Sequence, residues 1–183
     1  MGRCAEVAAR ILSGLEYSQR EIELARIAAY MHDIGNVVNR HDHALSGATM
    51  AFRILDKMGM EPPDVAAVIT AIGHHDDSTA YPVNAIAAAL ILADKTDVRR
   101  SRVRNKDMST FDIHDRVNYS VERSEVLLDL PGRTVTLSLS INTEVCAVMD
   151  YFEIFLQRMI LCRKAADKLG LQFRLLINEQ QLM

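Results

Sequence analysis

The apolar residues of this chain change period at about residue 97, and that change restricts the fold more than any other feature. Before it the spacing is helical. Ile22, Leu24, Ala25, Ala28, Ala29 and Met31 share one broad helical face that runs into His32-Asp33. Val65, Val68, Ile69 and Ile72 recur every third or fourth position after Pro62-Pro63, a pair suited to a helix start. Ile86, Ala89, Leu90 and Ala93 repeat the pattern up to Asp94, and Gly14, Gly35, Gly59 and Gly73 punctuate the segments. Beyond the change, Arg99 to Asp115 is polar and basic and reads as a loop or short-helix connection. Val126, Leu128 and Leu130 then alternate, Pro131-Gly132 makes a turn, and Val135, Leu137, Leu139 and Ile141 alternate with Thr and Ser, which is a β-hairpin signal. A long amphipathic helix follows, carrying Val145, Val148, Met149, Phe152, Phe155, Leu156, Met159 and Cys162 and ending near Gly170. Leu171, Phe173, Leu175 and Ile177 alternate as a last strand. The expected fold is therefore α+β: an all-helical bundle over residues 1–97, then residues 98–183 as a basic connection and a small ββαβ part. Such a small sheet exposes its edges when alone, so it is expected to pack on the helical half or on a second copy in a homodimer.

With 183 residues, 49% of them apolar, the chain can bury a full core. A net charge of −3 argues against a broad surface for extended nucleic acid or for a membrane, so any phosphate recognition must be local. Cys4, Cys146 and Cys162 are odd in number and far apart, as suits reduced thiols in a cytosolic protein. No apolar run approaches the roughly 20 residues of a membrane span, and the start carries no signal-peptide core, so the expected location is cytoplasmic.

The chemistry-bearing residues gather at the ends of the helical segments: His32-Asp33, His43, His74-His75 and Asp94. Imidazole and carboxylate are ligands for divalent ions such as Mn, Fe, Mg or Zn. A lone histidine at a helix end is usually a cap or a surface residue. Here five of the six histidines fall within residues 32 to 75, and one doublet closes a strongly apolar helix. Asp33 has two oxygens and so can serve two ions, whereas an imidazole offers one free nitrogen.

The stretch Ala28-Ala29-Tyr30-Met31-His32-Asp33-Ile34-Gly35 resembles the signature of the HD superfamily. His43 with Gly47 resembles the H-x-x-x-G element of its binuclear members. Ala71-Ile72-Gly73-His74-His75-Asp76, with Tyr81-Pro82 after it, is similar to the later histidine element, and Ile91-Leu92-Ala93-Asp94 to the closing aspartate. The resemblance implies a helical metal-binding domain over about residues 1–97. Its implied ligands are His32, Asp33, His43, His75 and Asp94, with His74 a further candidate and Asp33 at the centre of catalysis. It implies a phosphohydrolase that uses one or two divalent ions to activate water against a small phosphate ester or nucleotide. Asn36 stands where many members carry Lys, which removes one phosphate-facing cation, and Ala80 stands at a Gly of the HD-GYP subgroup, which weakens cyclic-dinucleotide hydrolysis as a reading. Matching Arg3-Cys4-Ala5-Glu6-Val7-Ala8 to the family's first helix puts the leading His ligand one position before Met1. Either a longer native chain supplies it or this member has lost it.

Lys95, Arg99, Arg100, Arg102 and Arg104 follow the closing aspartate, and arginine forks suit phosphate oxygens. They are expected either to hold the substrate's phosphates or to form a solvated basic loop. His114-Asp115 is a second doublet without the apolar helix before it, and His41 is expected in solvent. The rival to an enzyme is a metal-binding or ligand-sensing regulatory module with little turnover.

Overall fold

A computed structural model describes residues 2–183 apart from 78, 104 and 106. Helices α1 (Gly2–Gly14), α2 (Gln19–Met31), α3 (His43–Lys57), α4 (Pro62–Gly73) and α5 (Ala85–Lys95) come first. A short α6 (Ile113–Ser120) leads into strands β1 (Val121–Asp129) and β2 (Thr134–Ile141). The long α7 (Val148–Lys168), β3 (Gln172–Ile177) and the two-residue β4 (Gln180–Gln181) complete the chain. The architecture is α+β, as the two apolar periods require. No helix among the described residues is long and apolar enough to cross a membrane.

The helix starts follow local chemistry. Ser18 and Glu21 form a reciprocal capping box at α2, each side chain bonding the other's backbone N–H. Pro62 opens α4, where the missing N–H would be unpaired in any case. The Asn84 side chain accepts from the Ala87 N–H at 2.8 Å to cap α5. Helix α5 is the centre of the molecule: nine of its eleven residues are buried, and it packs against α1, α2, α4 and α7. A helix this apolar all round needs neighbours on every side.

The sheet has the order β1-β2-β3-β4, with β1-β2 and β3-β4 antiparallel and β2-β3 parallel. A parallel pair needs a long crossover, and α7 supplies it. The register pairs Val135 with Phe173, Leu137 with Leu175 and Leu139 with Ile177, and all six are buried. Helix α7 packs on β3 and also on α5, so it links the sheet to the bundle. Arg3 and Arg10 of α1 donate to the Ser124 and Val126 carbonyls of β1, which covers part of that edge strand. The expected connection over residues 99–115 contains two 3₁₀ turns, Arg100–Arg102 and Met108–Thr110, and enters α6 at Ile113. Strand β1 starts at Val121, earlier than the Val126 alternation suggested, because it takes up polar residues from Glu122 to Glu125 on a partly exposed stretch.

Candidate metal centre

Two glycines allow the helices to converge. Helix α2 ends at Met31 with His32 as its C-cap, and a 3₁₀ turn, Ile34–Val37, reverses the chain toward α3. A β-carbon on Gly35 would collide with the His43 carbonyl and the Gly47 N–H, and one on Gly47 would sit 3.3 Å from both Gly35 N and His32 O. The turn after His32-Asp33 thus rests directly on the first turn of α3. That contact sets His43 beside Asp33, so Gly35 and Gly47 are packing residues for the site.

His32, His43 and His75 are all buried, and each turns Nδ1 to a carbonyl three residues earlier. The distances are 2.7 Å to Ala29 O, 3.0 Å to Arg40 O and 2.6 Å to Ile72 O. A carbonyl only accepts, so Nδ1 carries the hydrogen in each ring, and the neutral ring presents Nε2 as a bare lone pair. These lone pairs all face Asp33. Its Oδ1 lies 3.3 Å from His43 Nε2 and 4.0 Å from His75 Nε2, and its Oδ2 lies 3.5 Å from His32 Nε2. His32 Nε2 is also 3.4 Å from Asp94 Oδ1. His43 Nε2 and His75 Nε2 face each other at 3.2 Å. Two nitrogens bound to one ion at about 2.1 Å, at right angles to tetrahedral, stand about 3.0–3.4 Å apart. The donor set therefore fits a cation: acceptors converge on one another where a proton donor or a positive charge is needed. His32, Asp33 and His75 can bring one ligand atom each within 4.8 Å of the others.

The local charges support that. Asp94 is almost buried, yet the neighbouring Lys95 cation, with His32 and His75, outweighs desolvation and holds its carboxyl well below the usual range. Lys95 Nζ lies 2.7 Å from Asp94 and 3.0 Å from Asp77, and these carboxylates raise its pKa against the opposing effect of burial. Burial alone would lower the His32 pKa, but the hydrogen bond and charge of Asp94, aided by Asp33, raise it. His75 is the reverse case, lowered by burial to about 4. A neutral His75 at physiological pH offers its nitrogen without proton competition.

His32, Asp33, His43, His75 and Asp94 are thus brought together. His74 is half-buried, turns its Nδ1 to Thr70 O at 2.9 Å, and makes none of these carboxylate contacts among the described residues. Arg99 and Arg102 pair with Asp97 at 2.7 and 3.1 Å. Arg100 donates to Tyr119 O at 2.6 Å and lies over the Tyr119 ring, 4.5 Å from its centroid. Arg104 lies outside the described residues. His41 is exposed beside Asp42, and His114 is exposed on α6. A groove of about 750 Å³ between α1, α2 and β1 contains none of the candidate ligands.

Three contributors escape a reading of the sequence: Arg40, Asp77 and Arg158. Arg40 accepts the His43 Nδ1–H on its carbonyl and places Nη1 3.8 Å from Asp33 Oδ1. Asp77 bridges Lys95 to Arg158 of α7, whose Nε lies 2.9 Å away. The position of Arg40 three residues before His43 was the available signal for its role. Nothing in the spacing foretold that Arg158 reaches Asp77.

A family model described as the HD domain matches residues 1–153, and the chain belongs to that family. HD domains form a superfamily of metal-dependent phosphohydrolases. No curated protein and no solved structure matches the chain.

Proposed function

We propose that the protein is a metal-dependent phosphohydrolase acting on a small phosphate ester or nucleotide. The observation that carries this reading is the convergence of three histidine Nε2 lone pairs on the two oxygens of Asp33. His32 faces Oδ2 and also Asp94, while His43 and His75 face Oδ1. His32, Asp33, His43, His75 and Asp94 would be the residues to hold one or two divalent ions. A divalent ion here supplies Lewis acidity toward a phosphoryl oxygen and a water nucleophile near neutral pH. The chain's own part is orientation. Three backbone carbonyls fix the imidazoles, Lys95 keeps Asp94 ionised, and the Gly35–Gly47 contact holds α3 against the HD turn.

The test is to chelate the protein, reload it with Mn, Fe, Mg or Zn, measure bound metal, and screen phosphate monoesters and nucleotides. Asp33→Ala is expected to lose stoichiometric metal and all hydrolysis. Wild-type metal content in that variant would remove Asp33 from the site. Full metal in the wild type with no turnover on any ester would favour a regulatory module.

A further inference from the structure

Two cationic side chains touch the candidate ligands among the described residues, Lys95 and Arg40. Lys95 is buried and paired with both Asp94 and Asp77. Arg40 differs in every respect: its side chain is 69% exposed and it stands where the cluster meets solvent. Its Nη1 reaches Asn36 Oδ1 at 3.4 Å, His43 Nε2 at 3.5 Å and Asp33 Oδ1 at 3.8 Å. All three contacts are long, and two of the acceptors belong to the candidate metal ligands. A cation held by Asp33 and His43 takes up those lone pairs and puts like charge beside the guanidinium. Arg40 would then keep only the long Asn36 contact beside a positively charged site. An anion shared between the ion and the guanidinium relieves that arrangement. The backbone of Arg40 stays fixed meanwhile, because its carbonyl holds the His43 ring.

We infer that Arg40 is the phosphate-binding residue of this site, receiving non-bridging phosphoryl oxygens while the ion holds another oxygen of the same group. The inference rests on the metal-dependent reading above and assigns its substrate contact. Arg99, Arg100 and Arg102 are committed to Asp97, Tyr119 and Glu122, which leaves Arg40, among the described residues, as the exposed cation in contact with the cluster.

The probe is inorganic phosphate, titrated calorimetrically into Mn-loaded protein at fixed pH and ionic strength. Wild-type protein is expected to bind it. Arg40→Ala should weaken binding roughly ten- to a hundredfold, the range for a lost charge-assisted hydrogen bond. Arg40→Lys should recover part of that loss, and metal content should equal wild type in both variants. Unchanged phosphate affinity in Arg40→Ala would overturn the assignment, as would loss of metal in that variant, which would make Arg40 a support for His43. Failure of the hydrolase reading looks different: wild-type protein would take up no metal or cleave no ester. Phosphate binding that depends on Arg40 without any turnover would uphold the Arg40 assignment and set the hydrolase reading aside.

Discussion

The His75 ring shows how much of the site depends on where one proton can be. Its folded pKa near 4 lies below the ordinary value of 6.5, because burial of the ring outweighs the Asp94 charge and the Nδ1–H bond to Ile72 O, both of which favour the protonated form. Between those two pH values the unfolded chain binds the proton more readily, so the metal-free fold should lose stability as pH falls through that window. The full effect is on the order of 3 kcal/mol. His32 acts in the opposite sense. Its raised pKa gives a contribution that is present below the unfolded value and is lost as pH rises through the folded one. Denaturant unfolding of chelated protein at pH 6.5, 5.5 and 4.5 reads the balance. His75→Asn should show a shallower fall in stability than wild type over that range. Parallel slopes would mean that His75 does not titrate as a buried neutral ring. The side chains that the fold gathers at the candidate site were legible in the sequence, since the His-Asp doublet and the later histidines resemble a known ordered pattern. Arg40 was not, because its role depends on a turn folding back so that carbonyl and guanidinium serve one histidine.

Helix α5 carries the closing aspartate and the lysine that neutralises it. The sequence places Lys95 at the head of a basic segment, where solvent or a phosphate is the natural expectation. The fold buries it instead, because α5 is enclosed by four helices and Asp77 arrives from the loop after His75. Replacing Lys95 by Met leaves Asp94 without its nearest cation, and breaking such a buried pair costs about 3–5 kcal/mol. A divalent ion would offer positive charge to the same carboxylate. Lys95→Met should therefore melt well below wild type after chelation, and added metal should raise its Tm by more than it raises that of wild type. Equal rises would mean that Lys95 and the ion do not share Asp94. The helices were legible for a plain reason: α2, α4 and α5 each keep one apolar face at the helical period. The eight-residue α6 was not, because Ile113–Ser120 is short and buries only Val117 and Ser120. The two-residue β4 is set by pairing with Leu176 and Ile177, which no local pattern announces.

At the scale of the molecule, the change of apolar period near residue 97 marks where helices give way to a mixed part, and packing crosses it. Helix α7 buries Tyr151, Phe155, Met159, Cys162, Ala165 and Ala166, and it contacts both α5 and β3. Arg158 of the same helix ties Asp77, which in turn holds Lys95 next to Asp94. That ion pair is partly exposed and worth little to global stability. The apolar contact is the larger effect, since burial contributes about 25 cal/mol per Å² of apolar surface. A fragment of residues 1–97 would retain every candidate ligand but present one side of the most apolar helix to water. It should therefore lack a cooperative thermal transition, bind a hydrophobic dye, and fail to hold metal stoichiometrically, while the full chain does all three in the opposite sense. Circular dichroism melts, dye fluorescence and metal analysis on the two proteins supply the comparison. A sharp transition with full metal content in the fragment would show that α5 needs no cover from α7, and that the ββαβ part is an appendage to a self-sufficient helical domain.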